Sequence, residues 1–241
     1  MAAPKLCPHN NRVSCSDCVL SKLCIPIALE SGEVDQLDEI VKRGRPVQKG
    51  QYVYRQDDTF ASIYAVRSGS IKTTMLSDEG AEQVTGFYFP GEIIGMDGIG
   101  QKRHASSAQA METTAICEIP FDRLGELSQA IPSLQQHFFQ LMSQEIVDDR
   151  QLLALLGKSN AESKVSTYLL SISSRNARRK LSSMEFRLPM SRADLGNYLG
   201  LTVETVSRVF SRLQKEGVLS VSNKEIQIAD MDGLRSRSAV K

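Results

Sequence analysis

Four of the chain's five cysteines, Cys7, Cys15, Cys18 and Cys24, crowd into the first 24 residues, and Cys117 stands far from them. Thiolates are soft ligands for zinc and for iron–sulfur clusters, and in a reducing compartment such crowding favours metal binding over disulfides. A compartment of that kind is expected. Met1 to Lys22 lacks the apolar stretch of a secretory signal, and no apolar run approaches the roughly 20 residues needed to span a bilayer. The reading is a cytoplasmic protein without a membrane partner. The spacing Cys15-x2-Cys18-x5-Cys24 leaves two chemistries open, because four thiolates make either a structural zinc site or the ligand set of an iron–sulfur cubane. Enzyme chemistry is not indicated: His9, His104 and His137 are scattered, and no nucleophile–base set is recognisable.

A second group of residues has the pattern needed to read DNA. In Ser191 to Leu213 a first helix of about 192–199 is expected to end at Gly200, the residue type that most easily takes the left-handed conformation after a helix. Thr202 is placed to cap a second helix, on which Val206, Phe210 and Leu213 fall on one face and point inward. Its other face carries Glu204, Ser207, Arg208 and Ser211. Arginine can donate two hydrogen bonds to guanine, and glutamate can accept one from the cytosine amino group. An ordinary surface helix with a charge pair would explain the outer face, but not the glycine turn, the threonine cap and the two-sided pattern together. The net charge of +1 also hides an asymmetry: residues 158–241 carry 15 Lys and Arg against 8 Asp and Glu, leaving 14 against 20 in the rest. A basic portion joined to an acidic one suits a polyanionic partner.

The elements that must position these groups follow from periodicity. At 241 residues and 41% hydrophobic content the chain can bury a real core. Residues 1–30 have little periodicity and read as a loop that a ligand orders, and a short helix is expected at 33–43. From about 46 to 121, short β-rich runs alternate with glycine turns, the signature of a small barrel or jelly roll. After Pro132 no Gly or Pro occurs until Gly157, which predicts one helix of about 25 residues. On it Phe139, Met142, Ile146, Asp149, Leu153 and Leu156 form a heptad seam. Such a stripe either packs on its own barrel or meets a partner helix, and the length favours the partner. Asp149 then brings two carboxylates together at partial burial and opposes pairing, unless it sits at the solvent edge of the seam. Residues 158–241 are expected to be helical with a final hairpin around Val218 to Ile228. The fold class is α+β, divided at 1–30, 31–130, 131–157 and 158–241.

The run Gly196-Asn-Tyr-Leu-Gly-Leu-Thr-Val-Glu-Thr-Val-Ser-Arg208, the spacing Cys15-x2-Cys18-x5-Cys24 and Cys117 within Ile116-Cys-Glu-Ile-Pro-Phe121 together closely resemble the FNR branch of the CRP/FNR regulators, Anr-type members included, over nearly the whole chain. The resemblance implies a β-roll sensor domain of the cyclic-nucleotide-binding kind, a long dimerisation helix and a C-terminal winged helix-turn-helix. It implies that Cys15, Cys18, Cys24 and Cys117 ligate a [4Fe-4S] cluster and that Leu23 shields it; Cys7 receives no role. The implied function is oxygen-sensing control of anaerobic gene expression by a homodimer. That dimer would use two copies of Glu204, Ser207 and Arg208, with Thr202 and Ser211 also in the DNA-binding set, on a partial palindrome with TTGAT-like half-sites. Loops around Ser70 to Gln83 resemble those that contact RNA polymerase, which implies an activator. Cluster binding would reposition the seam at Ile146 and Asp149, so that dimer and cluster appear together. A cyclic-nucleotide regulator of the same fold uses an Arg-Ser pair backed by a Gly-Glu turn. This chain has Gly91-Glu92 but Arg103-His-Ala-Ser-Ser, which places cyclic AMP behind the cluster.

Overall fold

This computed structural model describes residues 13–158 and 160–239, so Cys7 and His9 lie outside the described residues. The chain divides into two compact units at Glu145 and Ile146.

In the first unit a 3-10 turn, Ile25–Ala28, leads into α1 (Ser31–Ile40). This helix begins and ends earlier than 33–43. Glu30 and Glu33 form a reciprocal capping box that sets the start, and Val41 turns extended so that the Lys42 N–H can donate to the Glu118 carbonyl at 2.8 Å. Seven strands follow: β1 (Tyr52–Tyr54), β2 (Ser62–Ser68), β3 (Ile71–Leu76), β4 (Glu82–Tyr88), β5 (Ile93–Ile94), β6 (Ser107–Ala110) and β7 (Ala115–Pro120). They build two antiparallel sheets, ordered β1-β6-β3-β4 and β5-β2-β7.

Strand alternation on β2 decides what each face meets. Val66 packs with Tyr54, Ile71, Ile94 and Ala108, whereas Ile63 and Ala65 share a core with Ile25, Leu37 and Ile119. That second core is closed by α2 (Phe121–Ala130) and the start of α3 (Pro132–Lys158), through Leu124 and Leu134. Helix α3 has 27 residues, and proline is well suited to its first position because no intrahelical donor is lost there. Residues 13–30 are more than an irregular loop. Leu20 and Ile25 are buried at 5% and 2% exposure, so the segment carries its own apolar anchors.

The second unit contains α4 (Ala161–Arg178), β8 (Glu185–Arg187), α5 (Arg192–Leu199), α6 (Val203–Lys215), β9 (Leu219–Ser222), β10 (Glu225–Ile228) and α7 (Met231–Arg237). The expected hairpin is β9–β10, and β8 adds a third strand in the order β8-β10-β9. Leu169, Leu195, Leu199, Val206 and Leu213 are fully buried in this unit. No helix among the described residues is long and apolar enough to cross a membrane.

Candidate metal centre and nucleic-acid interface

Cys15, Cys18, Cys24 and Cys117 wall one cavity in the first unit. Successive turns present the first three: the Ser21 N–H donates to the Cys18 carbonyl at 2.9 Å, the Cys24 N–H to the Leu20 carbonyl at 2.9 Å, and the Ile27 N–H to the Cys24 carbonyl at 3.0 Å. Ile25 pins these turns to the sheet in a core shared with Ile63, Ala65 and Ile119, and Leu20 is buried beside the thiols. Cys117 comes from β7, where it stands opposite Ala65 of β2. Two distant stretches of sequence therefore face the same space. The wall is otherwise mostly aliphatic and, among the described residues, contributes no carboxylate or imidazole.

Two arginines join the thiols. Arg43 Nη2 donates to Cys15 Sγ at 3.3 Å and also pairs with Asp38, whose Oδ1 accepts the Cys15 N–H at 2.6 Å. Arg67, two residues past Ala65 on β2 where the pairing with β7 shifts register, also walls the cavity. Burial pushes the Cys24 thiol up to about 12. It also raises Cys15, with help from the Asp38 hydrogen bond, and raises Cys117 against the opposing charges of Arg43 and Arg67. Metal binding must therefore displace protons from these sulfurs. Leu23 does not wall the cavity. It is half-buried beside Gly91, where an added Cβ would lie 3.1 Å from the Leu23 Cβ, while Leu20 faces the thiols.

In the second unit, α5 spans Arg192–Leu199 and Gly200 follows it with φ 62°, left-handed as expected. A Ser191–Asp194 capping box starts the helix. Thr202 Oγ1 accepts the Thr205 N–H at 3.2 Å and starts α6. Gly196 makes the tight turn possible, since a Cβ there would sit 2.7 Å from the Leu201 carbonyl oxygen. Val206, Phe210 and Leu213 are buried as expected; Thr202, Glu204, Arg208 and Ser211 are exposed and Ser207 is half-buried. The Arg208 guanidinium rests on Thr205 Oγ1 at 3.4 Å, and Ser211 Oγ donates to the Ser207 carbonyl at 3.0 Å. Glu204 is held below the usual carboxylate range by its own backbone N–H and by Thr202, so it stays an acceptor. Val203, 42% exposed in the first turn of α6, escaped the sequence reading because an apolar residue there breaks the polar pattern. It is suited to apolar contact with a thymine methyl. On α3, Ile146 and Asp149 are exposed.

The Crp-like helix-turn-helix domain family matches residues 163–237, and the cyclic nucleotide-binding domain family matches residues 44–130. The chain is 50% identical over 220 residues to the transcriptional activator protein FnrA of Stutzerimonas stutzeri, covering 91% of this chain and 90% of that protein. It is 48% identical over 222 residues to the fumarate and nitrate reduction regulatory protein of Escherichia coli strain K12, covering 92% and 89%. The chain belongs to the FNR/Anr type of the CRP/FNR regulators. Among solved structures, FixK2 from Bradyrhizobium japonicum superposes with a TM-score of 0.77 at 26% identity, covering 84% of this chain and 99% of that one. As a CRP/FNR regulator the protein is not an enzyme, and it carries the family's DNA-binding helix-turn-helix beside a cyclic-nucleotide-binding-type β domain. In that β domain Arg103 and Ser106 are engaged within the chain. Arg103 Nη1 donates to the Asp57 carbonyl at 2.6 Å, and Ser106 Oγ donates to Asp97 at 2.7 Å.

Proposed function

We propose that this regulator senses oxygen through a [4Fe-4S] cluster held by Cys15, Cys18, Cys24 and Cys117 and so controls anaerobic gene expression. The observation that carries the reading is the single cavity walled by those four thiols. Four thiolates on one zinc lie within about 4 Å of one another, since each Zn–S bond is about 2.3 Å. Among the described residues no three His, Cys, Asp or Glu side chains converge as they would on one ion. Thiols spread around a space suit a cubane, in which each sulfur binds a different iron. When bound, the cluster supplies oxygen-sensitive redox chemistry; the chain supplies the cysteines, the apolar wall and the cationic side chains. The names of relatives, an anaerobic regulatory protein and a transcriptional activator among them, favour the same reading.

The response would run through dimerisation along residues 131–157, with the cysteine segment at 1–30, the β-roll at 31–130 and the winged helix-turn-helix at 158–241. Phe139, Ile146 and Leu153 are 57%, 52% and 68% exposed, a solvent-facing apolar stripe that a second copy would cover. Asp149 within that stripe, though exposed, is already raised by the desolvation its neighbours impose and by Asp148. A facing carboxylate would raise it further and oppose pairing. The dimer would read a partial palindrome of TTGAT-like half-sites with Glu204, Ser207 and Arg208, and Thr202 and Ser211 would hold the reading helix in shape. The β3–β4 hairpin, where Met75 and Leu76 are exposed, would offer RNA polymerase a contact. Leu23 would act on the cluster by holding the Cys24 turn against Gly91. A cytoplasmic location accords with free thiols.

The test is anaerobic purification followed by visible absorption and by iron, sulfide and zinc analysis. A brown protein with about four irons per chain is expected. A colourless protein with one zinc would remove oxygen sensing and leave only the DNA-binding regulator.

A further inference from the structure

Arg67 is 3% exposed, yet its Nε and Nη1 have no hydrogen-bond partner among the described residues. A guanidinium stays protonated under all ordinary conditions, so this is a buried cation with idle donors. Such a group is strongly unfavourable unless an anion meets it. Neighbouring strand positions give it none: Ala65 and Cys117 face each other across β2 and β7, and the Ser68 hydroxyl itself lacks a partner among the described residues. Arg67 does wall the cavity of the four cysteines. Arg43, the other arginine there, spends its charge on Asp38, although its Nε is also idle. A buried water could satisfy an N–H, but it could not offset the charge.

We propose that Arg67 is the built-in counter-ion of the cluster, with its free N–H groups donating to cluster or cysteine sulfurs. The inference rests on the cluster reading above and assigns a residue that the cysteine spacing does not reveal. Four thiolates around a [4Fe-4S]2+ core give a net charge of −2, and a cation with N–H donors at its edge stabilises the electron-richer state. Arg67 therefore raises the reduction potential and makes the loss of one electron to dioxygen, which becomes superoxide, harder. Without the cluster the same side chain is a liability to the fold.

The experiment compares the full chain with Arg67→Met and Arg67→Lys. Each is loaded anaerobically, assayed for iron and sulfide, followed by visible absorption in air-saturated buffer, and poised in a redox titration. The metal-free forms are unfolded in urea. If wild type binds no cluster, the cluster reading itself fails. If it binds about four irons, Arg67→Met should lose its visible band several-fold faster and titrate at a more negative potential, with Arg67→Lys between the two. Metal-free Arg67→Met should unfold at the same urea concentration as wild type or a higher one. Loaded Arg67→Met with unchanged potential and unchanged bleaching would overturn the assignment. So would a metal-free variant that unfolds earlier, because Arg67 would then be a structural residue.

Discussion

The cysteine cavity and the reading helix are built on opposite principles. Around α6 every local need is met by the chain itself: Ser191 and Thr202 cap two helices, Gly200 closes the first, and the apolar face of the second is buried. Around the cysteines the needs are left open: the thiols are pushed toward protonation by burial, and a buried arginine has idle donors. The first region is complete as a folded chain. The second, in the cluster reading proposed above, is completed by a ligand, and a signal is best placed where the fold depends on something that can leave.

Cys24→Ser breaks the comparison most severely. Iron retained per chain should fall from about four toward none, while thermal unfolding of the helix-turn-helix unit stays where it was; a variant that keeps its full iron would remove Cys24 from the ligand set. Gly196→Ala is the mirror image. The added Cβ, 2.7 Å from the Leu201 carbonyl oxygen, must push the turn open, at about 1–3 kcal/mol. Operator binding should collapse and cluster loading should not change. Next comes Arg208→Ala, which should weaken operator binding by about 1–3 kcal/mol and relax the preference at one base pair. Equal loss on every sequence would make Arg208 a phosphate contact instead.

The smallest effects sharpen the boundary between the two regions. Thr202→Ala should destabilise α6 by about 1 kcal/mol, visible as a lower unfolding midpoint of the second unit alone. Asp149→Ala should strengthen self-association of the cluster-free chain by on the order of 1 kcal/mol. The sign follows from the raised carboxyl: protonation removes the repelling charges, so wild-type dimerisation should strengthen as pH falls, and the variant should lose that dependence. If sedimentation shows no gain for Asp149→Ala, the residue sits at the solvent edge of the seam and the switch lies elsewhere.

Legibility in the sequence followed the same division. The helix-turn-helix could be read almost residue by residue, because caps, turn glycine and helical period are local signals, and Arg192–Leu199, Gly200 and Thr202 fall where they were expected. The β-roll, the long helix and the final hairpin were equally legible as classes. What escaped depends on pairing. Strand β8 is only three residues long and shows no usable alternation until β10 lies beside it. Arg67 reads as an ordinary polar residue in a strand until β2 is paired with β7; the register shift between Val66 and Ser68 breaks simple alternation there, and Arg67 walls the cavity beside Ala65 and Cys117. The anchoring of that segment was hidden because Leu20 and Ile25 follow no period, and Ile25 is buried by sheet residues far along the chain, Ile63, Ala65 and Ile119.

The central claim is that the incomplete region governs the complete one, and a single anaerobic sample measured before and after air tests it most directly. Sedimentation and binding to a labelled palindromic operator are followed while the visible band is monitored. The account predicts a coloured dimer that binds the operator, and, once the band is lost, a monomer that releases it. A protein that stays dimeric and keeps its operator after the band has gone would contradict it.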